Sequence, residues 1–162
     1  MLPYTTTLGW ATWDRARKFF DSKMTGYVNL KSDKILQNKF NLNGGYPYYN
    51  LLLKQISGDV HSWGIAWYLS VFMKSGLVLY PRQSLVAHDF DGSGTHCRVP
   101  QAREQLLSTF KIENFPPALL DEVSMRIAST YFWNDRQLWS KGSRYLSYLY
   151  KKYFGSILIY TK

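Results

Sequence analysis

Asp59-Val60-His61-Ser62-Trp63-Gly64-Ile65-Ala66-Trp67-Tyr68-Leu69-Ser70-Val71-Phe72-Met73-Lys74-Ser75-Gly76 is the most strongly patterned stretch of the chain. Apolar residues at 60, 63, 67 and 71 recur at helical spacing, and those at 65, 68, 69, 72 and 73 fill the remaining faces. A helix that is apolar on nearly every side leaves no face for water. The stretch therefore predicts a central buried helix, Val60 to Lys74, on which the other elements pack. Asp59 stands where a carboxylate caps the first N–H groups of a helix, and Gly76 where a left-handed residue ends one.

Working outward from it, Tyr48 to Ile56 reads as a helix ended by Ser57-Gly58 and preceded by the turn Asn43-Gly44-Gly45-Tyr46-Pro47. A short helix is expected from Ser32 to Phe40. Thr12 is placed to cap a further helix from Trp13 to about Lys23, with Trp13, Ala16 and Phe20 on one face. Leu2 to Leu8, rich in β-branched threonine, reads as extended chain. Downstream, Leu77 to Tyr80 reads as a short apolar strand, which Pro81 ends because proline has no N–H for a ladder. Pro116-Pro117 opens a helix from Ala118 to about Phe132, with Leu120, Val123, Ile127 and Tyr131 as its stripe and Asn134-Asp135 as its end. A last helix is expected from Gln137 to Phe154, carrying Tyr145, Leu146, Leu149, Tyr150 and Tyr153 with Arg144, Lys151 and Lys152 beside them. The sum is a predominantly α chain with a short β strand or hairpin, a single domain over residues 1–162, with no internal repeat or low-complexity stretch.

Apolar residues make up 46% of the chain, enough for a sizeable core. Twenty Lys and Arg against eleven Asp and Glu leave a net charge of +9. That balance suits an anionic partner: sugar-nucleotide phosphates, an anionic glycolipid, a membrane surface or nucleic acid. The single cysteine, Cys97, permits no internal disulfide and fits a reducing cytoplasm. No apolar run approaches the ~20 residues of a membrane-spanning helix, and the amino terminus carries no signal pattern.

The loop after the strand holds the densest chemistry, with His88, Asp89, Asp91 and His96 spaced by Gly92 and Gly94, which let backbone approach a ligand closely. Three readings are open. Asp89-Phe90-Asp91-Gly92-Ser93-Gly94 begins like a calcium loop, but the twelfth position, where a bidentate Glu belongs, is Pro100. Asp89-Phe90-Asp91 also matches an Asp-x-Asp site that would hold a divalent ion against a nucleotide diphosphate. The third reading is an Asx-rich turn, with Asp91 and Ser93 capping local backbone and His96 structural.

Four blocks in order bear on that choice: Thr7-Leu8-Gly9-Trp10-Ala11-Thr12-Trp13-Asp14-Arg15-Ala16, Ser62-Trp63-Gly64-Ile65-Ala66-Trp67-Tyr68, Gly76-Leu77-Val78-Leu79-Tyr80-Pro81 and Asp91-Gly92-Ser93-Gly94-Thr95-His96-Cys97. Together they resemble the C-terminal, acceptor-side part of a bacterial GT-A fold glycosyltransferase, a family 2-like nucleotide-diphospho-sugar transferase. The resemblance covers residues 7 to 97. It departs from the family at Arg17, where relatives often carry tryptophan, and at His88, where many carry asparagine.

The resemblance implies transfer of a sugar from a nucleotide-sugar donor to a glycan or glycolipid acceptor in cell-envelope polysaccharide biosynthesis, with a divalent metal, Mn or Mg, at the donor diphosphate. His96 inherits the family's metal position, and Asp91, Gly92 and Gly94 the diphosphate loop. The family's nucleotide-binding half precedes the Gly-Trp-Ala-Thr-Trp block, so this chain is expected to be catalytically incomplete by itself. Asp59 corresponds to the general base that takes the acceptor hydroxyl's proton, although an N-cap role explains the residue equally well. Trp10 and Trp13 are candidates for an acceptor or sugar pocket, with core packing as the alternative. The expected compartment is the cytoplasm, with a peripheral place at the inner face of the membrane. Tyrosines and Lys151 and Lys152 of the last predicted helix would meet anionic lipid there. The rival reading is a non-catalytic basic binding module on a membrane surface or on nucleic acid, nucleic acid being the less favoured.

Overall fold

The computed structural model describes residues 1–7, 9–81, 85–86 and 114–138. Six helices occupy them: α1 (Asp14–Arg17), α2 (Tyr27–Ser32), α3 (Lys34–Phe40), α4 (Tyr48–Ser57), α5 (Trp63–Met73) and α6 (Glu122–Leu138). The described residues are mostly helical and contain no strand. Where the sequence predicts one at Leu77 to Tyr80, the extended amino-terminal segment meets Val78 through Leu2 alone, in an antiparallel bridge with N–H···O distances of 2.9 and 2.8 Å. Pro3, next to the bridge, has no N–H with which to carry a ladder onward.

The all-round apolar helix is indeed central: Ile65 to Ser70 of α5 are all buried. Its expected start is corrected. Asp59 does not cap α5: Ser62 stands at that position, and Asp59 belongs to the end of α4, where its Oδ2 accepts from Ser57 Oγ, its N–H reaches Lys54 O (2.9 Å) and Gly58 N–H reaches Gln55 O (3.3 Å), with Gly58 at φ 84°. These paired bonds are the Schellman closure of α4. The chain then runs extended through Ser62, whose N–H is taken by Gln55 Oε1, and α5 begins at Trp63.

The far end of α5 closes in the same way, but the left-handed residue is Ser75 (φ 51°), one before the expected Gly76. Gly76 N–H reaches Val71 O at 2.9 Å, and a Cβ on Gly76 would lie 2.8 Å from Val71 Cγ1. Glycine is needed at 76 for space rather than for φ. α3 repeats the motif with Leu42 (φ 53°) as the left-handed residue, its side chain wholly buried.

The helix expected from Trp13 to Lys23 shrinks to α1. Thr12 is not its cap; Trp13 holds that position without a side-chain bond. The helix gives way because Asp21 organises the chain after it. Its carboxylate accepts from Lys23 N–H (3.0 Å), Thr25 N–H (2.6 Å) and Thr25 Oγ1 (2.6 Å), while its own N–H reaches Ser70 Oγ of α5 (2.9 Å). Such a turn competes with helix for the same backbone groups. α2 follows, unpredicted. Asp33 then caps α3 by accepting from Leu36 N–H at 2.9 Å, and the buried Gln37 side chain donates to Leu30 O at the end of α2 (2.6 Å).

α6 starts at Glu122 rather than Ala118, behind Asp121, which accepts from Ser124 N–H (2.9 Å) as an N-cap does. It also runs through Asn134-Asp135, which weaken a helix by only a few tenths of a kcal/mol each. Its stripe Leu120, Val123, Ile127 and Tyr131 faces outward. Met125, Ala128 and Phe132 face the core instead. The choice of face is made by docking on the α3–α4 turn: Ser129 Oγ donates to Leu42 O (2.7 Å), and a Cβ on Gly45 would come within 2.8 Å of Ser129 backbone. The helix expected from Gln137 to Phe154 lies, beyond Leu138, outside the described residues.

The core is aromatic. Tyr68 of α5 stacks on Phe40 of α3 with centroids 4.5 Å apart, Phe72 and Tyr48 meet the pair edge-on, and Leu30, Leu42, Leu52 and Leu69 close around them. Tyr68 Oη donates to Phe40 O at 2.9 Å, so the ring buries without an orphaned hydroxyl. Tyr80 stacks on Tyr4 (5.2 Å) and donates to its carbonyl (2.9 Å).

Candidate functional site

At its amino-terminal half α5 carries aromatics of another kind. Gly64 sits in the first turn, and a Cβ there would lie 3.0 Å from Thr7 Cγ2, so glycine lets the extended amino-terminal segment cross the helix closely. Gly9, at φ 55° and with Val86 packed where a side chain would stand, turns that segment. Trp10 then comes down on α5, 5.4 Å from Trp63 and 5.7 Å from Trp67, both rings tilted 37° to it. Trp67 is buried and Phe20 packs beside it at 6.0 Å. Trp10 (40%) and Trp63 (53%) stay exposed. The result is two indoles open to solvent, with Trp10 resting on a buried third.

The core-packing alternative for Trp10 and Trp13 is therefore not what the structure shows, since both are exposed. They do not form one surface element with each other. Trp13, 52% exposed, meets Phe115 edge-on at 6.3 Å and carries the Arg15 guanidinium over its ring at 5.0 Å. The residue that sequence reasoning missed is Trp63, read there only as one apolar position of a buried helix. Nothing in the sequence marked it, because the helix was expected to start at Val60; its exposure follows from the actual start at Trp63.

Asp59 lies in the exposed turn between α4 and α5, where its Oδ2 accepts from Ser57 Oγ at 2.6 Å. His61, two residues on, is exposed as well. His96, Asp91, Gly92 and Gly94 lie outside the described residues. Among the described residues there is no group of three His, Cys, Asp or Glu side chains able to hold a metal, and no helix long and apolar enough to cross a membrane.

Cations lie over exposed rings outside the Trp10–Trp63 pair, Arg15 over Trp13 and Lys74 over Phe19. Arg17 and Lys18 both pair with Asp14, at 3.1 and 3.0 Å, on an open surface where such pairs contribute little. Lys74, at the end of α5, places its Nζ over the Phe19 ring at 5.2 Å. A shallow depression on the outer face of α6 is lined by Val123, Arg126, Ile127, Thr130, Tyr131 and Asn134, all from that one helix.

No family model, curated protein or solved structure matches the chain.

Proposed function

We propose that this chain is the acceptor side of a glycosyltransferase that moves a sugar from a nucleotide-sugar donor to a glycan or glycolipid. One observation carries the reading. Two of the blocks behind the resemblance, far apart in sequence, meet in space as Trp10 on Trp63 and Trp67, with the outer two indoles exposed. Flat apolar rings with an N–H at the edge suit a sugar, whose C–H face stacks on them while its hydroxyls stay in water. In this reading Trp10 and Trp63 hold the acceptor, and Trp13 lies at the margin. Asp59 takes the proton of the attacking hydroxyl as that oxygen bonds to the anomeric carbon and the nucleoside diphosphate leaves. By resemblance, His96 and Asp91, on the loop shaped by Gly92 and Gly94, would face the donor diphosphate and its Mn or Mg ion. Nucleotide recognition would come from the half that the family places before Gly9.

Tryptophan emission tests the acceptor role without needing turnover. Titration with methyl glycosides of glucose, galactose, mannose and N-acetylglucosamine, and with their short oligomers, should give a saturable spectral shift with at least one of them. Trp10→Ala and Trp63→Ala should abolish it while thermal melting stays cooperative. No shift with any sugar in the wild-type chain refutes an acceptor platform.

A further inference from the structure

We infer that the surface running from Trp13 to Phe20, completed by Lys74 from the end of α5, is a docking face for an anionic lipid bilayer. Phe19 is 54% exposed, and the ring contact described for it is to the Lys74 ammonium. Trp13 is as open and carries Arg15. Each of these two rings thus has a cation against it, and Arg17 and Lys18, between them in sequence, are exposed and paired with Asp14. The folded chain thereby leaves apolar area in water beside concentrated positive charge. That combination is stabilised where a bilayer offers both an acyl boundary for the ring and phosphate for the cation.

Charge selects the occupant. Arg15, Arg17, Lys18 and Lys74 outnumber the single carboxylate among them, Asp14, and the whole chain stands at +9. A neutral sugar makes no use of such a cluster. A nucleic acid would use the cations but stacks its bases on open ring faces, of which the cations take one per ring. Here one face of Trp13 and one of Phe19 are covered by a guanidinium and an ammonium. Insertion into a lipid interface asks only for the bodies and edges of the rings. These rings are distinct from Trp10 and Trp63, so the inference goes beyond the sugar-binding reading and stands if that reading fails. It is independent of the membrane contact expected around Lys151 and Lys152, which lie outside the described residues.

Co-sedimentation of the full chain with vesicles of phosphatidylcholine alone, and of phosphatidylcholine mixed with phosphatidylglycerol, tests it at low and high salt. Recovery should be strong only with the anionic mixture and should fall at high salt. Lys18→Glu/Lys74→Glu should weaken binding about fivefold or more per residue, the factor matching ~1 kcal/mol per basic side chain. Phe19→Ser should weaken it about tenfold through lost apolar contact, with melting unchanged. Equal recovery with both lipids overturns the inference. So does loss in the lysine variant without loss in Phe19→Ser, which would mark a purely electrostatic polyanion surface such as nucleic acid uses. Should either variant fail to fold, the wild-type chain still decides. Bilayers with brominated acyl chains should quench its tryptophan emission, less so in Trp13→Phe, and absence of quenching rules the docking face out.

Discussion

α5 carries two aromatic sets with opposite fates. On one side Tyr68 is 2% exposed, stacked on Phe40 and hydrogen-bonded to its carbonyl. In the first turn Trp63 stands open beside Trp10, over a buried Trp67. Both sets are rings at helical spacing on one helix, and both have ring partners at ordinary aromatic distances. What separates them is what covers them. α3, α4 and the amino-terminal segment close over the first set, whereas a single extended strand of chain crosses the second. A ring that is paired yet left in water contributes less to stability than a covered one, and is available for another use.

The largest expected effect follows from that difference. Phe40→Ala empties a fully enclosed site and should cost about 3–5 kcal/mol. Trp63→Ala, which removes a bigger side chain from a half-open site, should cost at least ~2 kcal/mol less, because little cavity is left behind. Denaturant melts of the two variants measure both values. Equal losses would erase the distinction between the two sets and remove the argument that the tryptophans are held ready for a ligand.

Alkaline titration probes the covered set next. Burial raises the hydroxyl pKa of Tyr68, Tyr48 and Tyr80 well above the usual tyrosine value of about 10, since a phenolate has no water to solvate it there. In the unfolded chain the same groups ionise near 10. Above that pH the unfolded state therefore binds fewer protons than the native state. Stability that is full below pH ~10 should fall as pH rises further. Phenolate absorbance should lag in the native protein and rise together with loss of secondary structure. Full ionisation of all tyrosines before unfolding would contradict the burial.

The parts of this architecture that were legible in the sequence are those fixed by local pattern. α5 announced itself by having no polar face and α4 by Gly58, while the short helix expected from Ser32 to Phe40 is found as α3, starting two residues later behind Asp33, a cap that was not read from the sequence. What was not legible depended on distant partners. α1 stops short because Asp21, an unremarkable aspartate in sequence, spends its carboxylate on Lys23 and Thr25 and its N–H on Ser70. α6 is apolar on two faces, and the choice between them rests on Ser129 meeting Leu42 and on Gly45 admitting that contact. The candidate site shows the same division. Trp10 was singled out as a candidate, but the ring it packs against, Trp63, was hidden inside a pattern that spelled burial. The glycine that brings the two together, Gly64, carries meaning only once Thr7 is known to lie against it.

A substitution that touches neither aromatic set calibrates the comparison and should have the smallest effect. Ser75 closes α5 at φ 51°, and Gly58 closes α4 at φ 84° with the same paired backbone bonds. A left-handed residue with a Cβ costs roughly 1–2 kcal/mol. Glycine relieves that strain but frees the unfolded chain by about 0.4–1 kcal/mol. Ser75→Gly should therefore stabilise by roughly 0.5 kcal/mol, raising the melting temperature slightly. Leu42 holds the same conformation at the end of α3, yet Leu42→Gly should destabilise by several kcal/mol, because its side chain is enclosed in the core and the cavity outweighs the relieved strain. Differential scanning calorimetry of the two variants gives shifts of opposite sign if this is right. A stabilising Leu42→Gly would mean that backbone strain rather than covering governs that end of the core, and the contrast between covered and open rings on α5 would lose its energetic basis.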